Sequence, residues 1–68
     1  MVDTNKLRGV IAERGESQQK VANYLGISKN TFYRKMKKGV FDTNEIEKMV
    51  TYLAIKDPMD IFFAKFGA

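Results

Sequence analysis

An all-α domain of five short helices is the fold this 68-residue chain predicts. Gly15, Gly26, Gly39 and Pro58 fall between runs whose apolar residues return every three or four positions, the period of a helix face. No run has the alternation and β-branched density of a strand. The third observation is charge. The stretch Ser17–Gly39 holds six of the twelve basic residues (Lys20, Lys29, Arg34, Lys35, Lys37 and Lys38) and none of the eight acidic ones. The rest of the chain is therefore net acidic, six basic residues against eight. Positive charge is gathered on one helical hairpin, the footprint of a surface that meets a nucleic-acid backbone.

The first helix begins after Asp3 or Thr4, either of which can cap it, and runs to about Arg14. Leu7, Val10 and Ile11 form its inward stripe. Gly9 within it costs about 1 kcal/mol relative to alanine, so either another helix packs closely there or the cost is tolerated. Gly15 stops the helix with a left-handed cap. The second helix starts at Ser17, turns Val21, Ala22 and Leu25 inward and ends at Gly26. Ile27 plugs the turn into the core, and Ser28 caps the third helix, which spans about Lys29 to Lys38 with Phe32 and Met36 as its core contacts.

After Gly39, Phe41-Asp42-Thr43-Asn44-Glu45-Ile46 is the best-specified helix start in the chain. Asp42 and Glu45 have capping-box spacing, and Phe41 and Ile46 are spaced for a hydrophobic staple. The fourth helix buries Ile46, Met49, Val50 and Leu53. Asp57 and Pro58 then open a fifth helix, with aspartate as cap and proline at the first helical position. Its Ile61, Phe62, Phe63 and Phe66 are unusually apolar. Adjacent Phe62 and Phe63 diverge by about 100°, so not all of these side chains face one way. An exposed phenylalanine there marks a dimer or partner surface, with Phe62, Phe63 and Phe66 as its candidates. The alternative is a helix buried all round.

Residues 1–68 are expected to form a single domain. With neither cysteine nor histidine, the chain lacks disulfides, thiolate metal sites and the usual zinc ligand and general base. No apolar run approaches the roughly 20 residues needed to span a bilayer, and the N-terminus lacks the apolar core of a secretory signal. A cytoplasmic, cofactor-free protein that is not an enzyme is the expectation.

A helical wheel divides the third helix. With Phe32 and Met36 inward, Asn30, Arg34 and Lys37 face outward, flanked by Thr31 and Lys38 on one edge and by Lys29 and Tyr33 on the other. Arginine can donate twice to guanine and asparagine can pair twice with adenine, while lysine neutralises phosphate. Tyr33 can bond a phosphate, lie against a thymine methyl, or pack on the flank of the core. Gln18 and Gln19 occupy the first turn of the second helix, where free amides and the helix dipole attract an anion. Each feature alone reads equally as ordinary solvated surface. Together they describe a helix-turn-helix.

Ser17-Gln18, Val21-Ala22, Leu25-Gly26-Ile27-Ser28 and Thr31-Phe32-Tyr33-Arg34 resemble the helix-turn-helix core of the lambda-repressor and Cro family. The likeness covers the hairpin closely and the five-helix layout more loosely. It implies a compact all-α domain that binds operator DNA, usually as a homodimer on a pseudo-palindrome. By the resemblance, Lys29, Asn30 and Arg34 match base-reading positions, and Gln18 matches the family's phosphate-touching glutamine. Ser28, Thr31, Tyr33, Lys37 and Lys38 complete the expected set of backbone contacts. Here Lys37-Lys38 precede Gly39, which falls one residue later than is usual in the family. A short phage-type transcriptional regulator is the leading expectation. The alternatives are a modulator that binds a partner phage repressor and an antitoxin-type module.

Overall fold

The computed structural model describes residues 1–64. Five helices follow one another: α1 (Thr4–Glu13), α2 (Gln18–Leu25), α3 (Lys29–Lys38), α4 (Thr43–Tyr52) and α5 (Pro58–Phe62). No strand occurs among the described residues.

Each helix begins where a short polar side chain can take an otherwise unpaired amide of its first turn. Asp3, rather than Thr4, caps α1 by accepting from the Lys6 N–H. Ser17 accepts from Lys20 and Ser28 from Thr31. Asp42 and Glu45 form the full capping box expected of α4. Asp57 accepts from Asp60, with Pro58 in the first turn of α5. Gly26 and Gly39 end α2 and α3 at φ of 75° and 70°, a conformation in which a Cβ is costly.

Among the described residues, fourteen buried apolar side chains make one core. Leu7 and Ile11 come from α1, and Val21, Ala22 and Leu25 from α2. Phe32 and Met36 come from α3, Met49 from α4 with Leu53 capping its end, and Ile61 and Phe62 from α5. Val2, Phe41 and Ile55 enter from the segments between and before the helices. Val10, Ile27, Ile46 and Val50 are only partly buried against it. The inward stripes of α1 and α4 are thus narrower than their apolar content implies. Gly9 meets nothing within 4 Å of where its Cβ would stand, so no close packing requires it.

Two features go beyond the sequence reading. Helix α4 ends without a glycine: Ala54 takes φ 50°, and the Ile55 N–H returns to the Val50 carbonyl at 3.0 Å. Arg14 reaches across from the end of α1 to hold the freed carbonyls. Its Nε donates to the Leu53 oxygen at 2.7 Å and a terminal guanidinium nitrogen donates to the Ala54 oxygen at 3.2 Å. The second feature is a clasp between the N-terminal segment and α5. The Asp3 N–H donates to the Ile61 carbonyl at 2.6 Å, and Lys6 pairs with Asp60 at 2.7 Å.

Helix α5 is shorter than expected. It closes after one turn, and Phe63 leaves it with extended φ. Phe62 points into the core at 2% exposure while Phe63 is 53% exposed. This corrects the expected partner surface: Phe62 belongs to the core, because neighbouring side chains on a helix diverge and α5 turns Phe62 inward while Phe63 faces out. Phe66 lies outside the described residues.

Candidate nucleic-acid interface

The α2–turn–α3 unit is anchored to the core by three apolar side chains. Phe32 is fully enclosed, Met36 nearly so, and half-buried Ile27 packs on the same core from the turn. The Ile27 N–H returns to the Ala22 carbonyl at 3.1 Å and so fixes the turn that follows left-handed Gly26. With that face locked inward, the rest of α3 has one orientation. Lys29, Asn30, Tyr33, Arg34, Lys37 and Lys38 are exposed, and Thr31 is half-buried. The structure therefore brings the expected base-reading residues Lys29, Asn30 and Arg34 onto one exposed helix surface.

Several of these side chains are held by neighbours one turn away. Lys29 Nζ stands over the Tyr33 ring, 5.5 Å from its centroid. The Ser28 hydroxyl accepts from the Thr31 amide and donates to Thr31 Oγ1 at 2.9 Å. Arg34 donates to the same Thr31 oxygen at 3.4 Å. Ser28 and Thr31 thus already hydrogen-bond to each other. On α2, Gln19 donates to the Asn23 carboxamide at 3.0 Å, and Gln18, half-buried, sits beside it in the first turn.

The electrostatics favour an anion throughout. Neither α2 nor α3 has an acidic residue in its first turn, so the positive end of each helix dipole is unquenched. Lys35, Lys37 and Lys38 occupy the last turn of α3, where they complement its negative end. One of these lysines is diverted. Lys35 Nζ pairs with Glu45 at 2.6 Å, turned toward α4, with its side chain 30% exposed. Among the described residues, the lysine run is therefore a pair of unpaired cations, Lys37 and Lys38, beside one that is internally neutralised. The Val2 N–H donates to the Gly39 carbonyl at 3.0 Å and pins the N-terminal segment against the end of α3.

Away from this surface, Tyr24 and Tyr52 stack at 4.3 Å, and the Tyr52 hydroxyl donates to Glu16 at 2.8 Å. That bond holds the proton on the phenol and raises the Tyr52 pKa above its ordinary value. A groove of about 510 Å³ opens between α4 and α5, lined by Ile46, Val50, Pro58 and Phe63 with Thr43, Glu47 and Thr51. No helix among the described residues is long and apolar enough to cross a membrane.

Residues 6–39, half of the chain, match the family described as bacterial regulatory protein, Fis family. The chain belongs to that family. The matched segment runs from within α1 through α3, ending at the glycine that closes the exposed basic helix. This is a helix-turn-helix regulatory domain of the kind that binds double-stranded DNA and regulates transcription, a non-enzymatic class. No curated protein and no solved structure shows significant similarity to the chain.

Proposed function

We propose that this chain is a sequence-specific operator-binding regulator of the small phage type that the lambda-repressor and Cro family exemplifies. It would act in the cytoplasm as a single domain over 1–68, by occupancy alone: binding at an operator blocks polymerase or a competing regulator. Helix α3 lies in the major groove, with Lys29, Asn30 and Arg34 at base edges. Gln18, Ser28, Thr31, Lys37 and Lys38 engage the sugar-phosphate backbone, Gln18 together with the free amides of the α2 N-terminus, while Tyr33 stands at the edge of the same face beside Lys29. The observation that carries the reading is the division of α3: Phe32 and Met36 are fully committed to the core, while the opposite face is polar, basic and free of acidic residues.

A homodimer on a pseudo-palindromic site fits the groove between α4 and α5. Exposed Phe63 lies beside the hollow formed by Ile46, Val50 and Pro58, so one patch holds both a projecting side chain and a recess. A two-fold axis would seat each Phe63 in the other copy's recess. The same groove supports the second reading, a modulator that docks on a partner repressor.

Selection of binding sites from random duplexes, followed by footprinting, tests the proposal. The wild type should enrich a defined site. Arg34→Ala should cost about 1–3 kcal/mol and relax preference at one base position. An unchanged footprint for the variant removes α3 from the groove. Sedimentation with and without the selected duplex reports the dimer, and DNA binding that occurs only with a partner repressor favours the modulator.

A further inference from the structure

Lys29 is the first residue of α3, at the end of a recognition helix whose side chains reach base edges. It is also poorly placed for a cation. The positive end of the helix dipole repels an ammonium there, and a lysine stem has many rotamers to lose on binding. Tyr33, one turn on, counters both effects. Its ring lies under Lys29 Nζ at 5.5 Å, inside the range in which the ring quadrupole attracts a cation. Tyr33 is 44% exposed and is not among the residues of the core or those packed against it.

We propose that Tyr33 is a positioning residue for Lys29, and that its ring, rather than its hydroxyl, is what DNA recognition uses. The inference rests on the base-reading role proposed for Lys29. The ring narrows the space the ammonium samples and holds it over the outer face of α3, so less order must be imposed when a base edge is met. A tyrosine that donates its hydroxyl to a phosphate would have the opposite requirement: the oxygen would matter and the ring would be a spacer.

A double-mutant cycle on the selected duplex and its single-base variants separates these cases, using Tyr33→Phe, Tyr33→Leu, Lys29→Ala and the Lys29→Ala/Tyr33→Leu pair. Tyr33→Phe should bind as the wild type does. Tyr33→Leu should lose about two- to fivefold, concentrated at the base pair that Lys29→Ala also affects. In the Lys29→Ala background, Tyr33→Leu should add nothing. In the free protein, the Lys29 ε-methylene proton resonances should be shifted upfield by the ring in the wild type and Tyr33→Phe, and unshifted in Tyr33→Leu. Equal losses for Tyr33→Phe and Tyr33→Leu would overturn the proposal in favour of a hydroxyl contact. Additive losses in the cycle, or a Tyr33→Leu loss spread over all sequences, would also overturn it. If Lys29→Ala changes preference at no base pair, the base-reading role of Lys29 fails, and positioning fails with it. A base-specific Lys29→Ala loss with none for Tyr33→Leu sinks positioning alone.

Discussion

Glu45 holds Lys35 through one carboxylate oxygen at 2.6 Å while its other oxygen accepts the Asp42 N–H at 3.0 Å. A single buried side chain, 7% exposed, thus starts α4 and fastens it to the basic helix α3. The two roles separate chemically. Glutamine can still complete the capping box, but it removes the charge that pairs with Lys35.

Glu45→Gln should therefore cost about 1 kcal/mol of folding stability and Glu45→Ala about 2 kcal/mol, read from urea midpoints at neutral pH. Equal losses would mean that the cap contributes nothing and that the ion pair carries the whole effect.

The same pairing divides the lysines in their response to salt. Lys37→Ala should weaken binding to all duplexes alike and lower the slope of log affinity against log salt by about one. Lys35→Gln should leave the slope unchanged, because the Lys35 charge is already spent on Glu45. A slope lowered equally by both would place Lys35 on a phosphate.

Gly9 lies in the interior of α1, exposed, with open space where a side chain would go. Gly9→Ala should stabilise the fold by about 0.5–1 kcal/mol through helix propensity and a less disordered unfolded chain. Thermal unfolding checks this, and DNA affinity should not move, since α1 lies off the proposed interface.

Tyr52 gives the molecule an alkaline limit. The hydrogen bond to Glu16 raises the phenol pKa in the folded state, followed by desolvation and the charge of Glu16. A group whose folded pKa is raised contributes stability that is complete below the unfolded value of about 10. That contribution is lost as pH rises through the higher folded value. Tyr52→Phe should lower stability at neutral pH and flatten its fall above pH 10. Urea titrations across that range, with tyrosinate absorbance as the second probe, measure both effects.

Most of the fold can be read from the sequence because local chemistry sets it. Ser17, Ser28 and Asp42 start helices through contacts three residues away, and Gly26 and Gly39 end them through backbone freedom. The outward face of α3 follows from Phe32 and Met36 alone, since two inward positions four apart fix the rotation of a helix. What the sequence hides is tertiary. Nothing around Ala54 signals the end of α4, because the device that stabilises it is Arg14, 40 residues earlier. Lys35 reads as one more member of a basic run until Glu45 is seen beside it. Val2 and Ile55 lie outside any periodic pattern, so their burial depends on where the helices meet. Phe62 and Phe63 are chemically identical neighbours, and only the way α5 docks on the core decides which one is covered.

The clasp between Asp3, Lys6 and α5 also sets an order of release. Its partners are separated by 54 residues in the Lys6–Asp60 pair, so closing it demands a large loss of chain entropy. A helix of five residues cannot persist once undocked. Opening at this seam should therefore occur as a local event at lower free energy than global unfolding, leaving α2, α3 and α4 in place. The amides of α5 and the Asp3 N–H would then exchange with solvent earlier than those of the basic helix. The part of the chain that carries Phe63 would be the most readily remodelled by whatever it meets, while the basic face of α3 stays fixed.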